Sequence, residues 1–261
     1  EWIQAVVGHG HVVAMMGDYA AGMVEIQRAI ARAQESGSIF LSNWTHFVLA
    51  KTLIQCGDPL RAMEAIRKDL EAAEELGLQV SVYLAHGFQA LAEARAGRFE
   101  AAQASMARSQ AVAQQLGGRI MLADYFLAGK AEIALGTGRI QEALGLAEQV
   151  VNTAQKMGSP AAEAAARRVW GQVLADLRPP RWDEAQIQFA ESLRIFESLP
   201  MRPEAAQTHL IWGTACRDRG DPTAAREHWE TAAALWEGCG ITWELERVRE
   251  LIETLPETQS A

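Results

Sequence analysis

The sequence predicts an all-α protein: an α-solenoid of about six antiparallel helix-turn-helix units, finished by a C-terminal capping helix. Three observations carry that prediction. Hydrophobic residues make up 49% of the 261 residues but aromatic ones only 7%, so the apolar surface is largely Ala and Leu set among Glu, Gln and Arg. These side chains lose little rotamer freedom in a helix. Turn signals recur roughly every forty residues, and small residues recur at fixed distances from them.

The turns are Gly17-Asp18-Tyr19, Gly57-Asp58-Pro59, Gly97-Arg98-Phe99, Gly138-Arg139-Ile140, Pro180-Arg181-Trp182 and Gly220-Asp221-Pro222, spaced 40, 40, 41, 42 and 40 residues apart. A second punctuation stands 20 residues beyond each, at Gly37, Gly77, Gly117, Gly158, Pro200 and Gly240. Two interleaved phases of one period define helical hairpins. The units run over about 1–37, 38–77, 78–117, 118–158, 159–200 and 201–240, with a cap at 241–254 and a flexible tail at 255–261. No linker divides 1–254, which is expected to be a single superhelical domain.

The chemistry at each phase suits a hairpin. A glycine ends one helix in the left-handed conformation. Asp18, Asp58 and Asp221 then stand where a carboxylate can accept from the next helix's free N–H groups, and Ser38 and Ser159 are expected to do so at the other turn. Pro59, Pro160 and Pro222 follow at the first helical position, where a missing N–H costs nothing. Five residues past the turns come Gly22, Ala62, Ala102, Ala143, Ala185 and Ala225. Before them come Gly10, Ala50, Ala90, Ala131, Gly171 and Gly213. Two helices crossing at such positions have room for hydrogen or methyl. Ile26, Ile66, Met106, Phe189 and Trp229 then supply the core, and Ala225, Trp229, Ala232 and Trp236 keep helical spacing. Trp182 is expected to anchor the longer fifth connection.

A small residue, then Gly-Asp-aromatic or Gly-Arg-aliphatic, then Ala, resembles the pattern of tetratricopeptide (TPR) repeats over essentially the whole chain. The period is longer than the usual TPR unit of about 34 residues and is shared with HEAT and armadillo repeats. The turn triplet and the paired small residues favour TPR. Long units of this kind look like those of large bacterial signalling proteins: the maltose-activator and LuxR-type ATP-dependent regulators, and multidomain adenylate/guanylate cyclases. The stretch from Phe189 to Gly240 is similar to the final repeats of such proteins. The resemblance implies a right-handed superhelix, with catalytic, nucleotide-binding or DNA-binding modules outside this chain.

The resemblance also implies a concave face lined by the first helix of each unit. Carried onto this register, the groove positions are Gln4, His11, Trp44, Phe47, Lys51, Leu84, Arg95, Tyr125, Glu132, Arg168, Gln172, Gln207 and Thr214. Aromatic groups among isolated polar ones suit a protein or peptide segment, or a small polar ligand. The alternative for Trp44 and Phe47 is packing between neighbouring hairpins.

Other chemistries find little purchase. The net charge is −9, and the basic cluster Arg61, Arg67 and Lys68 is met at once by Glu64, Asp69, Glu71, Glu74 and Glu75. A nucleic-acid surface needs a basic stripe, so no direct nucleic-acid binding is expected. The sequence carries no phosphate-binding glycine loop, dinucleotide fingerprint or nucleophile elbow; neither enzymatic activity nor a cofactor is expected. His9 and His11 lie two apart on a helix, about 200° around its axis, and cannot chelate one ion together. His46, His86 and His209 share a phase four residues before a small residue, which suggests a hydrogen bond within each repeat. Three scattered cysteines fit a reducing, cytoplasmic setting, and no apolar run reaches the length of about 20 residues that a membrane span needs. The chain opens Glu1-Trp2 without methionine and is expected to be part of a longer protein.

Overall fold

In the computed structural model, residues 1–118 and 120–256 are described, with the side chain of Lys68 excepted; the expected tail from 257 onward lies outside them. The described residues form thirteen helices and no strand. Six pairs follow one another: α1 (Trp2–Met16) with α2 (Tyr19–Glu35), α3 (Ile39–Gln55) with α4 (Pro59–Glu75), and α5 (Gln79–Arg95) with α6 (Phe99–Gln115). Then come α7 (Ala123–Gly136) with α8 (Ile140–Met157), α9 (Pro160–Asp176) with α10 (Trp182–Ser198), and α11 (Arg202–Asp218) with α12 (Pro222–Cys239). Helix α13 (Thr242–Glu253) packs on α12 as a cap.

Local chemistry fixes the helix ends. Gly17 closes α1 at φ 114°, and the Asp18 carboxylate accepts from Ala21 N to open α2. Asp58, Asp221 and Ser38 cap α4, α12 and α3 in the same way. Ser159 does not: it precedes α9 without a side-chain bond, and Pro160 at the first position removes one of the donors needing a cap.

The small residues mark the tightest crossings. Ala50, Ala62, Ala90, Ala102, Ala131, Ala143, Ala185 and Ala225 are all fully buried. At the α1–α2 crossing, a Cβ added to Gly10 would lie 2.7 Å from the Gly22 carbonyl oxygen, and one on Gly22 would lie 2.5 Å from that of Gly10. Ile26, Ile66, Phe189, Trp229 and Trp236 fill the space beside these contacts.

The superhelix closes on itself. One apolar cluster joins Ala14, Met15 and Cys56 of the first two hairpins to Leu210, Trp229, Trp236 and Ile241 of the last. The indole Nε1 of Trp243 donates to the Cys56 carbonyl at 3.1 Å, and its ring meets Tyr19 edge-on at 5.2 Å. The accessible surface, 12458 Å² for 28.5 kDa, is only about a tenth above the ~11,300 Å² expected of a closely packed monomer of this mass.

Candidate functional site: two mouths on one axis

Helices α3, α5, α7, α9 and α11 run side by side, and two cavities open along them: one beside the N-terminal ends of α3 and α5, the other among the C-terminal ends of α5, α7 and α9, the first half of α11, and α13. Between them lies a plug of charged side chains. Arg168 Nη1 donates to Glu204 Oε2 at 2.5 Å, Arg95 reaches the same carboxylate at 3.5 Å, and Arg95 also stands 4.0 Å from Glu132. Burial alone would raise the Glu204 carboxyl's pKa; Arg168, Arg95 and the Gln55 amide outweigh it and hold the group below the usual range. The Lys51 ammonium lies 5.8 Å over the Tyr125 ring. Burial pulls its pKa down, opposed by Glu204. Burial likewise pushes the Tyr125 hydroxyl up.

The N-terminal mouth is apolar. A cavity of ≈ 760 Å³ is lined by Ile39, Phe40, Trp44, Phe47 and Leu84, by Leu76, Leu78 and Val80 of the α4–α5 turn, and by Met121. Its polar lining is Asn43, Gln79 and Ser81, and no ionisable group lines it among the described residues. Trp44 is half-buried at its wall, while Phe40, Leu76, Val80 and Met121 form an exposed rim.

The C-terminal mouth is polar. A cavity of ≈ 670 Å³ is lined by Arg95, Glu132, Gln172, Asp176 and Gln207 from the odd-numbered helices and by Glu244 and Arg247 from α13. Phe99, Leu135 and Ile211 add an apolar wall, and Gly57 and Pro59 close one side. Burial raises the Glu244 carboxyl, against the pull of Arg247 and Arg95. Burial also raises Asp176, opposed by Arg178 and aided by Asp218.

The thirteen groove positions thus separate. Trp44, Phe47 and Leu84 line the apolar mouth; Arg95, Glu132, Gln172 and Gln207 line the polar one. Lys51, Tyr125 and Arg168 belong to the plug between them. Gln4 is exposed on α1 and lines neither cavity. His11 is held by Thr52, its Nδ1 2.9 Å from the hydroxyl, and burial followed by the nearby Lys51 pulls its pKa down to about 3. Thr214 donates back to the Leu210 carbonyl. Phe47 and Arg168 share a helical phase with Val7, Ala128 and Leu210, all of them buried, so this phase faces neighbouring hairpins. Phe47 stacks on Phe88 at 6.1 Å, and Arg168 Nη1 donates to the Glu204 carboxylate and carbonyl while the guanidinium lies 5.6 Å over the Phe196 ring.

Sequence reasoning passed over Glu204, Glu244, Arg247 and the apolar turn residues. Glu204 had a signal. Its phase is held by Glu1 at the start of the chain and by Leu41, Ser81, Leu122 and Ala162 in the inner units, so past the first unit one carboxylate stands among apolar or small side chains. The histidines pair between helices: His46 with Asp69 at 3.1 Å and His209 with His228 at 3.0 Å, both within a hairpin. His86 instead reaches back to Glu74 of the preceding unit, at 3.6 Å.

No known protein-family pattern matches the chain, and no curated protein matches it in sequence. Solved structures do match. The apo form of RapI aligns over 92% of this chain and 84% of its own, with TM-score 0.71 and 13% identity. The chain has a TPR-like helical-repeat fold. A signal transduction ATPase with numerous domains (STAND) and a tetratricopeptide repeat sensor, from Pyrococcus horikoshii, matches over 87% of this chain, with TM-score 0.56 and 14% identity. This chain spans 34% of that protein's length. No described helix is long and apolar enough to cross a membrane.

Proposed function

We propose that the chain is a non-catalytic interaction module, serving as a regulatory part of a larger signalling or transcription-regulating protein, and that it captures a short apolar segment of a partner protein at the mouth around Trp44. The observation behind this reading is the ≈ 760 Å³ cavity with an uncharged lining and an exposed apolar rim, in a chain whose net charge is −9. Contiguous exposed apolar surface around a concavity marks interaction sites, and a peptide laid there would bury the rim residues. The test is a fluorescence-polarisation screen of short apolar peptides against the full chain. Trp44→Ala is expected to weaken the best binder at least tenfold with helicity unchanged; undiminished binding would move the site elsewhere.

A second reading has its own observation. The polar mouth is enclosed by α5, α7, α9, α11 and α13 and offers both signs of charge with two glutamine amides, which suits a small polar metabolite as effector. A thermal-shift screen tests it: a ligand at a hundredfold excess over Kd stabilises by about 2.7 kcal/mol. A broad library that produces no shift would remove this reading.

A further inference from the structure

The contact that closes the superhelix is built differently from those between successive hairpins. Neighbouring hairpins pack helix along helix. Across the closure one small apolar cluster, with Ala14, Met15 and Cys56 on one side and Trp236, Cys239 and Ile241 on the other, is flanked by single groups: the Trp243 indole on the Cys56 carbonyl and Tyr19, the Glu244 side chain over Gly57, and the Arg202 side chain against Gly17. The turn glycines report the same asymmetry. Eleven glycines have positive φ, and of these only Gly17 and Gly57 have an atom of the described residues within 4 Å of where a Cβ would stand. The turns inside the first two hairpins therefore meet side chains of α11, α12 and α13, and the later positive-φ glycines meet none among the described residues.

The closure also completes the polar mouth. Gly57 on one side of the seam and Glu244 and Arg247 on the other all line that cavity, so parting the seam removes one wall. A solenoid can part there without unpacking any one interface between successive hairpins, at the cost of exposing the apolar cluster behind the seam. A small rotation shared over every interface between units accumulates at the ends, while each individual interface keeps its packing.

We propose that the seam between α13 and the Gly57 turn is a latch: the superhelix opens and shuts there, and only the shut form presents the complete polar cavity. A small polar ligand in that cavity then bridges the seam and holds it shut. This regulatory step rests on the polar-ligand reading; the opening itself does not.

Two glycines give a controlled test. Gly57 (φ 79°) and Gly97 (φ 73°) hold the same kind of turn, so alanine strains the backbone equally at both. At Gly57 the added methyl would also fall 2.6 Å from Glu244 Cγ, whereas at Gly97 it meets nothing within 4 Å. Small-angle X-ray scattering of the full chain is expected to give a larger radius of gyration for Gly57→Ala than for Gly97→Ala or the parent, at equal helicity. Trp243→Phe keeps the aromatic ring and loses only the N–H to Cys56, and is expected to open the ring to a smaller degree. Scattering curves for both seam variants that match the parent would overturn the latch. Should Gly57→Ala fail to fold, Trp243→Phe decides alone. A compound found in the thermal-shift screen is expected to lose at least tenfold affinity for Gly57→Ala but not for Gly138→Ala, which holds the same kind of turn (φ 75°) outside that cavity with nothing within 4 Å of an added methyl, and equal affinity would overturn the coupling. Scattering needs no ligand, so an empty compound screen would count against the polar-ligand reading and leave the latch standing on its own measurement.

Discussion

The guanidinium of Arg168 and the carboxylate of Glu204 meet at 2.5 Å with their side chains only 3% and 5% exposed. Desolvating two charges is costly, and their attraction compensates only while both are present. Glu204→Gln leaves Arg168 and Arg95 facing each other without the shared anion. Urea denaturation is expected to show a loss of about 3–5 kcal/mol for that variant. Replacing the pair together, Arg168→Met with Glu204→Leu, is expected to lose much less. If the single and double variants were equally unstable, the attraction would not be what holds this contact.

Two unstrained helical glycines should behave oppositely to the crossing glycine. Gly8 and Gly145 have nothing within 4 Å of an added Cβ, so alanine there is expected to stabilise by roughly 0.5–1 kcal/mol through helix propensity. Gly10→Ala pushes against the Gly22 carbonyl and is expected to destabilise, in common with Ala102→Trp, which overpacks a buried contact by ~1–3 kcal/mol. Thermal melts of these variants would show whether the repeat register is right; a neutral Ala102→Trp would shift it.

The histidines make stability fall in acid. Burial, and then the nearby His228, lowers the His209 pKa to about 4; burial, and then Lys51, lowers that of His11 to about 3. An unfolded histidine titrates near 6.5, so between that pH and about 4 the unfolded chain takes up protons that the folded chain refuses. Stability is therefore full above pH ~6.5 and declines as pH falls through that window. Glu204, held below its ordinary range, adds a further loss at lower pH. Chemical denaturation at pH 7.5 and 5 should show the difference, and His209→Gln with His11→Gln should shrink it.

All three cysteines are buried. Burial raises each thiol's pKa, most of all at Cys56, and to about 11 at Cys216. Since the thiolate is the reactive form, a small alkylating reagent is expected to leave the native protein unmodified for hours and to label three thiols in denaturant. Rapid native labelling of Cys56 would show the seam opening often.

The hairpins were legible because their determinants are local and repeated. Gly17 with Asp18, or Gly10 with Gly22, carries the turn or the crossing within one unit, and six units state it six times. The two mouths were half legible. Positions such as Glu132 and Gln172 follow from helical phase, but Phe47 and Arg168 share a phase that the stacking of neighbouring hairpins buries. The meeting of Trp243 with Cys56 was beyond reach. It depends on small rotations summed over many interfaces, and no single interface encodes the total.

The closed ring also changes what holds the ends of the chain. In an open array the outermost helices have a neighbour on one side only and fray first, so amide exchange runs fastest at the termini. Here α1 and α13 each have a second support from across the ring. Protection of the terminal helices then depends on the seam: with it shut, the amides of α1 and α13 exchange slowly together, and once it parts both ends fray as they would in a linear array. Exchange at the two termini is therefore coupled, although they lie at opposite ends of the sequence.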